Sequence, residues 1–270
     1  PGPAESNGGP IIRNVVETGG DNEATDTVTA KWTGVTFSNG VPGDLPQPFT
    51  VPVFGEDVAA FVDRNHQWNG AATDVGIPSY LAGGDYIMVG NDNRDNASLK
   101  LDVTVTVPSI VYVLVDNRLT DGSGDNPPET GKPLAEWTGM KWLGTEGYAA
   151  VSTGANRKKD VKLADEVGYD EGGNGVGPGV ELNQWASIYS KRVAAGTFSL
   201  FQPDNAGRNM YGVVVTAVPD ETSPTLVSAG TLGNPNAITV TFSEPVSPAS
   251  ALNLGNYFIN GGASVNGVAA

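Results

Sequence analysis

The clearest signal in the chain is a strict alternation: Leu99, Leu101, Val103, Val105 and Val107 fall on one face, with Lys100, Asp102, Thr104 and Thr106 on the other. A period of two is that of a half-buried β-strand. After Pro108-Ser109 follows Ile110-Val-Tyr-Val-Leu-Val115, apolar on both faces as in a central strand. The two runs are expected to pair as adjacent antiparallel strands. Further strands are predicted at Ile11–Glu17, Asp26–Trp32, Asp85–Val89, Trp185–Tyr189, Gly196–Phe201 and Met210–Val218. Phe49–Phe54 is a short edge strand at best, because Pro52 cannot donate to a ladder. Glu56–Arg64 fits a helical turn or a strand, and its pattern does not choose between them.

No segment shows the sustained 3.6-residue period of a long amphipathic helix. With 36 glycines and 19 prolines in 270 residues, the chain turns often. Many short strands with frequent turns predict an all-β fold, an antiparallel β-sandwich of jelly-roll type. Residues 1–10 read as a flexible leader, 11–218 as the sandwich body and 219–224 as a polar, proline-bracketed linker. Residues 225–270 carry strands at Thr225–Thr231, Ala237–Phe242 and Tyr257–Ile259, about half of what an Ig-like sandwich needs. A chain opening on Pro1-Gly2-Pro3 and closing on Val268-Ala269-Ala270 is expected to be a processed product or a fragment.

Charge narrows the partners. Thirty acids against 15 bases give a net charge of −15, a surface that repels nucleic acid and favours divalent cations. No apolar stretch approaches the length of a membrane span, so membrane insertion is not expected. The absence of cysteine excludes a disulfide scaffold and a thiol nucleophile.

Three loops combine Asp, Asn and Gly, the side-chain oxygens and tight backbone that calcium favours: Asn91–Asn96 with Asp92 and Asp95, Asp121–Asp125, and Asp170–Asn174. The second begins like an EF-hand but has Asn126 and Lys132 where Gly and Glu belong, which rejects that motif. The competing reading is ordinary turn chemistry, since the same residues dominate β-turns. Trp137 and Trp142, in a turn-rich segment, are candidate sugar-stacking platforms, whereas Trp185, at the head of an apolar strand, reads as core. His66 is the single histidine and lies in a polar loop, so no multi-histidine zinc site exists. Asp116, Asp170 and Glu171 follow strand-like segments whose loops can converge, as a glycosidase pair must. No motif supports catalysis, and the chain is expected not to be an enzyme.

The runs Ser223-Pro-Thr-Leu-Val-Ser228 and Ile238-Thr-Val-Thr-Phe-Ser-Glu-Pro-Val246 resemble the start of a bacterial S-layer-type Ig-like domain. That resemblance implies a β-sandwich spacer in a secreted or cell-surface protein. Val111–Arg118, Asp170–Asn174 and Asn209–Val214 give the body a resemblance to accessory β-sandwich modules of large secreted bacterial proteins, some attached to polysaccharide-degrading enzymes. The expected function is a non-catalytic extracellular structural or interaction subunit of a cell-surface assembly: a filament, surface layer or adhesive stalk. Its partners would be further copies or neighbouring surface-protein domains. The alternative is a carbohydrate-binding accessory module whose partner is a polysaccharide.

Overall fold

A computed structural model describes residues 11–20, 53–61, 63–119, 124–128, 132–203, 208–219, 224–244, 246, 248–260 and 264–269, with the backbone of 27–28 and 36–37. The leader 1–10, most of the Asp26–Trp32 strand, residues 49–52 of the proposed edge strand and linker residues 220–223 lie outside the described residues. The chain divides into two units, Pro1–Pro219 and Asp220–Ala270.

In the first unit the strands run β1 (Ile12–Thr18), β2 (Thr27–Val28), β3 (Thr36–Phe37), β4 (Val58–Ala59), β5 (Gln67–Gly70), β6 (Asp85–Val89), β7 (Lys100–Val105) and β8 (Ser109–Asp116). A short helix α1 (Trp142–Thr145) precedes β9 (Ala149–Ala150), β10 (Glu166–Asp170), β11 (Gln184–Val193), β12 (Gly196–Phe201) and β13 (Gly212–Ala217). The chain is all-β, and its ladders are antiparallel apart from the short parallel β1–β3 pairing and an isolated bridge. Four strands form one sheet in the order β12-β7-β1-β3. The larger sheet runs β2-β6-β13-β8-β11-β10-β5-β4, with β9 added beside β11. It curls until Phe61, just past β4, bridges Val89 of β6, so it is a nearly closed barrel.

The expected pairing of the 99–107 and 110–115 runs is corrected by this topology. β7 lies in the four-stranded sheet and β8 at the centre of the larger one, between β13 and β11. The turn at Pro108 carries the chain from one sheet to the other. The side-chain pattern was nevertheless informative: Leu101, Val103 and Val105 are buried, and Val111 to Val115 are buried on both faces.

The barrel interior is filled with rings. Trp68 of β5 lies 4.3 Å from Tyr169 of β10, and Phe54, Phe61 and Tyr86 complete the cluster. Its polar atoms are satisfied internally, because the Trp68 indole donates to the Tyr86 hydroxyl, which donates to the Ala60 carbonyl. A buried Asp85 carboxylate on β6 accepts the backbone N–H groups of Ile11 and Ile12 at 2.7 and 3.1 Å, tying the two sheets together.

Among its described residues the second unit has a two-stranded antiparallel sheet, β14 (Leu226–Gly230) with β15 (Thr239–Phe242), then a short helix α2 (Pro248–Ala251). Tyr257–Ile259, expected as a strand, is irregular chain after a single 3₁₀ turn at Leu254–Asn256.

Candidate functional site

The antiparallel order brings the end of β6, the start of β13, the ends of β8 and β10 and the start of β5 to one mouth of the barrel. Three acids singled out in the sequence gather there. Asp116, at the end of β8, accepts from the Arg118 backbone and side chain and from the Asn209 N–H. The Arg118 guanidinium also reaches Glu171 at 3.2 Å, and the Asn209 amide donates to the same carboxylate at 3.1 Å. Asn91 closes the network by donating to Asn209 and accepting the Met210 N–H. Arg118 thus fills the space between Asp116 and Glu171 that an attacking water or a glycosidic oxygen would need. Burial lowers the pKa of this guanidinium, but its bonds to Asp116 and the Glu171 charge raise it above the ordinary value overall.

Asp170, buried beside this cluster, is committed to its own loop. It accepts four backbone N–H groups, from Gly172 and Gly173 on Oδ1 and from Asn174 and Gly175 on Oδ2. Burial pushes its carboxyl up, and the four donors together bring the pKa below the usual carboxylate value. Asn174 contributes its backbone N–H to that clamp. The glycines are required, since a Cβ on Gly173, at φ 64°, would meet the Asn65 carbonyl oxygen at 1.9 Å.

His66 shares the strand face of Trp68 and closes the interior at this mouth, its ring edge-on to Phe61 at 5.7 Å. Its Nδ1 is buried without a hydrogen-bond partner. Burial holds its pKa below the usual histidine value; Glu171 and Asp170 pull it up, and Arg64 and Arg118 push it down.

Among the remaining metal candidates, Asp92 lies beside Asp63, whose carboxylate accepts the N–H groups of Asn91 and Asp92. The hydrogen bond between the two carboxyls, with burial and the Asp63 charge, raises the Asp92 pKa. Asp95 and Asp125 are exposed, and Asp121 lies outside the described residues. Among the described residues no three carboxylate or histidine groups gather in a way that would hold a metal ion.

The sugar platform expected of Trp137 and Trp142 is corrected. Trp137 is 1% exposed and packs edge-on against Tyr189, while Trp142 is 9% exposed and wedged among Tyr148, Phe201 and Tyr211. The turn-rich sequence around them folds inward because both indoles bury large apolar area, and both N–H groups find backbone carbonyls. Trp142 also lines a cleft with Lys141, Glu146, Phe201 and Gln202, but with little of its surface exposed. Trp185, expected in the core, is the more accessible indole: half-buried, with Arg157 stacked 4.2 Å above its ring.

The largest departure from ordinary burial lies in the second unit. None of its described residues is buried. Leu226 and Val227 are 62% and 63% exposed, Leu232 83% and Phe258 88%. Cross-strand register places Leu226 opposite Phe242 and Ala229 opposite Val240, so one face of the β14–β15 sheet is apolar, with Val240 and Phe242 half-buried and Leu226 exposed. No protein-family model, characterised protein or solved structure matches the chain.

Proposed function

We propose that this protein is a non-catalytic, extracellular structural or interaction subunit of a cell-surface assembly, and that its second unit supplies the interaction surface. The observation that carries this reading is the apolar sheet without a core. Side chains such as Leu226, Val227, Ile238 and Phe258, left in water, gain about 25 cal/mol for each Å² of apolar surface that a partner removes. The first unit, by contrast, encloses its own continuous core and supplies a folded carrier.

Two features of the first unit support a non-catalytic role. Its acids at the barrel mouth are bound to loop N–H groups and to Arg118, and its interior is packed with aromatic rings. The carbohydrate-binding alternative would have to use the cleft beside Trp142, whose side chain is largely buried.

The test compares the full chain with a chain ending at Pro219, by hydrogen exchange in dilute solution and by light scattering on concentration or with candidate surface proteins. The reading expects the amides of 226–242 to exchange freely in the dilute monomer. They should become protected only in a complex that the truncated chain does not form. A dilute monomer in which those amides are already protected would show a self-sufficient domain and overturn it.

A further inference from the structure

We infer that protonation of His66 releases residues 63–66 from the mouth of the barrel, a conformational device of the first unit that operates in mild acid and does not depend on the second unit. The segment is tied down on both sides. Asp63 accepts the N–H groups of Asn91 and Asp92 at 2.7 and 3.3 Å, and the His66 carbonyl accepts the Ala60 N–H at 2.7 Å. Gly173 packs so closely that a Cβ there would run into the Asn65 carbonyl oxygen. Between these ties the His66 ring closes against Phe61, which stacks on Tyr169 at 6.1 Å, so the imidazole caps the aromatic interior.

The ring's place favours its neutral form. Nδ1 is buried with no hydrogen-bond partner among the described residues. A neutral imidazole turns a lone pair inward there and keeps its proton on Nε2, whereas an imidazolium carries N–H on both nitrogens. The inward N–H would then lack an acceptor, and a buried donor left unpaired is costly, more so when charged. Charged groups act on the ring from three elements: Arg64 on its own loop, Arg118 beyond β8, and Asp170 and Glu171 at the end of β10. Glu171 and Asp170 favour the imidazolium, Arg64 and Arg118 oppose it, and burial outweighs each of them. Arg118 is moreover bonded to Glu171, which weakens the pull of that carboxylate on the ring.

A histidine held below its usual value of about 6.5 adds nothing to opening above that pH. Below it, the released ring takes up a proton that the closed ring refuses, and opening is favoured until the closed ring protonates as well. The acids that brace the loops act elsewhere on the pH scale. The hydrogen bond to Asp63 holds Asp92 above the ordinary carboxylate value, so acid tightens that tie, opposite in sign to His66. Asp170 lies below the ordinary value of about 4, so its clamp fails only in stronger acid.

The experiment is NMR of the full chain from pH 7.5 to 5.5, beside His66→Phe and His66→Gln. His66 is the single histidine, so its imidazole proton signal reads the titration without ambiguity. Its midpoint should fall below that of a free histidine. The amides that lose their acceptor on release are those of Ala60, Asn91 and Asp92. Their opening constants, from hydrogen exchange corrected for its intrinsic pH dependence, should rise by up to about tenfold across this range. The amide of Val113, at the centre of the larger sheet, should not change. In both variants the rise should vanish. A midpoint at or above the free value, or amides indifferent to pH in the wild type, would overturn the device. A rise retained in both variants would assign it to the carboxyls and overturn His66 as its trigger. An equal rise at Val113 would mean unfolding of the whole unit and overturn a local release.

Discussion

An acid-rich loop in this protein is first of all a device for holding backbone. Asp165 accepts three successive N–H groups, from Thr153, Gly154 and Ala155, and Glu56 accepts those of Gly70 and Ile77. Asp170 does the same with four. The sequence shows Asp, Asn and Gly together but not which way the N–H groups point, so cation loop and turn clamp read alike until the backbone is seen. Removing the Asp170 carboxylate leaves four loop N–H groups without their acceptor, that of Gly175 buried and the other three partly so, and a buried donor costs about 1–3 kcal/mol when unpaired. Asp170→Ala should therefore lose about 3 kcal/mol or more by urea denaturation at neutral pH. Because the folded pKa is depressed, that stabilisation is fully present above the ordinary carboxylate value of about 4 and is lost as pH falls through the folded value. The gap between wild type and variant should narrow in acid. It should also be the same in chelator as in millimolar calcium; a gap that widens with calcium would make Asp170 a ligand.

At the scale of elements, apolar patterning found most of the long strands, while pairing partners escaped it. Asp85–Val89 and Gly196–Phe201 coincide with β6 and β12, since alternating or continuous apolar runs bounded by turns leave little choice. β7 and β8 were legible as strands, but nothing local tells whether a Pro-Ser turn makes a hairpin or crosses between sheets. β5 and β10 went unread, because Gln67-Trp-Asn-Gly70 and Glu166-Val-Gly-Tyr-Asp170 bury polar residues and glycines in a barrel wall. Arg118, Asn91 and Asn209 were missed at the barrel mouth for a related reason: each follows or precedes a strand, and only the barrel order brings them together. Glycine in β13 has a specific cause. A Cβ on Gly212 would meet the Trp68 ring at 2.5 Å, so the indole lies directly on the backbone of β13. Gly212→Val should displace that ring and cost about 2 kcal/mol or more, with a red shift of tryptophan emission as water reaches Trp68. A variant with unchanged melting and emission would mean that the barrel interior has slack that the ring packing does not show.

For the molecule as a whole, the two units differ in how they meet the entropy of ordering. Fixing a residue's backbone costs about 1–2 kcal/mol, which the first unit offsets with a continuous buried core. The second unit orders its chain around a four-residue strand and a bulged partner, with Leu226, Leu232 and Phe258 largely in water. The sequence already hinted at this through the scarcity of large apolar residues after Phe242. It could not show that, of those present, Leu252, Leu254 and Phe258 would be exposed and Tyr257, Ile259, Val265 and Val268 only half-buried. Calorimetry reads the difference directly. A folded domain absorbs about 0.7 kcal/mol per residue on unfolding near 60 °C, so residues 220–270 would add roughly 35 kcal/mol if they formed a cooperative core of their own. In dilute solution the full chain and the chain ending at Pro219 should instead melt at the same temperature with nearly the same enthalpy. The missing heat should appear in the full chain alone, and only at concentrations where light scattering shows association. An extra 35 kcal/mol or so in the dilute monomer would mean that the second unit is already stable by itself, and its exposed sheet would then no longer call for a partner.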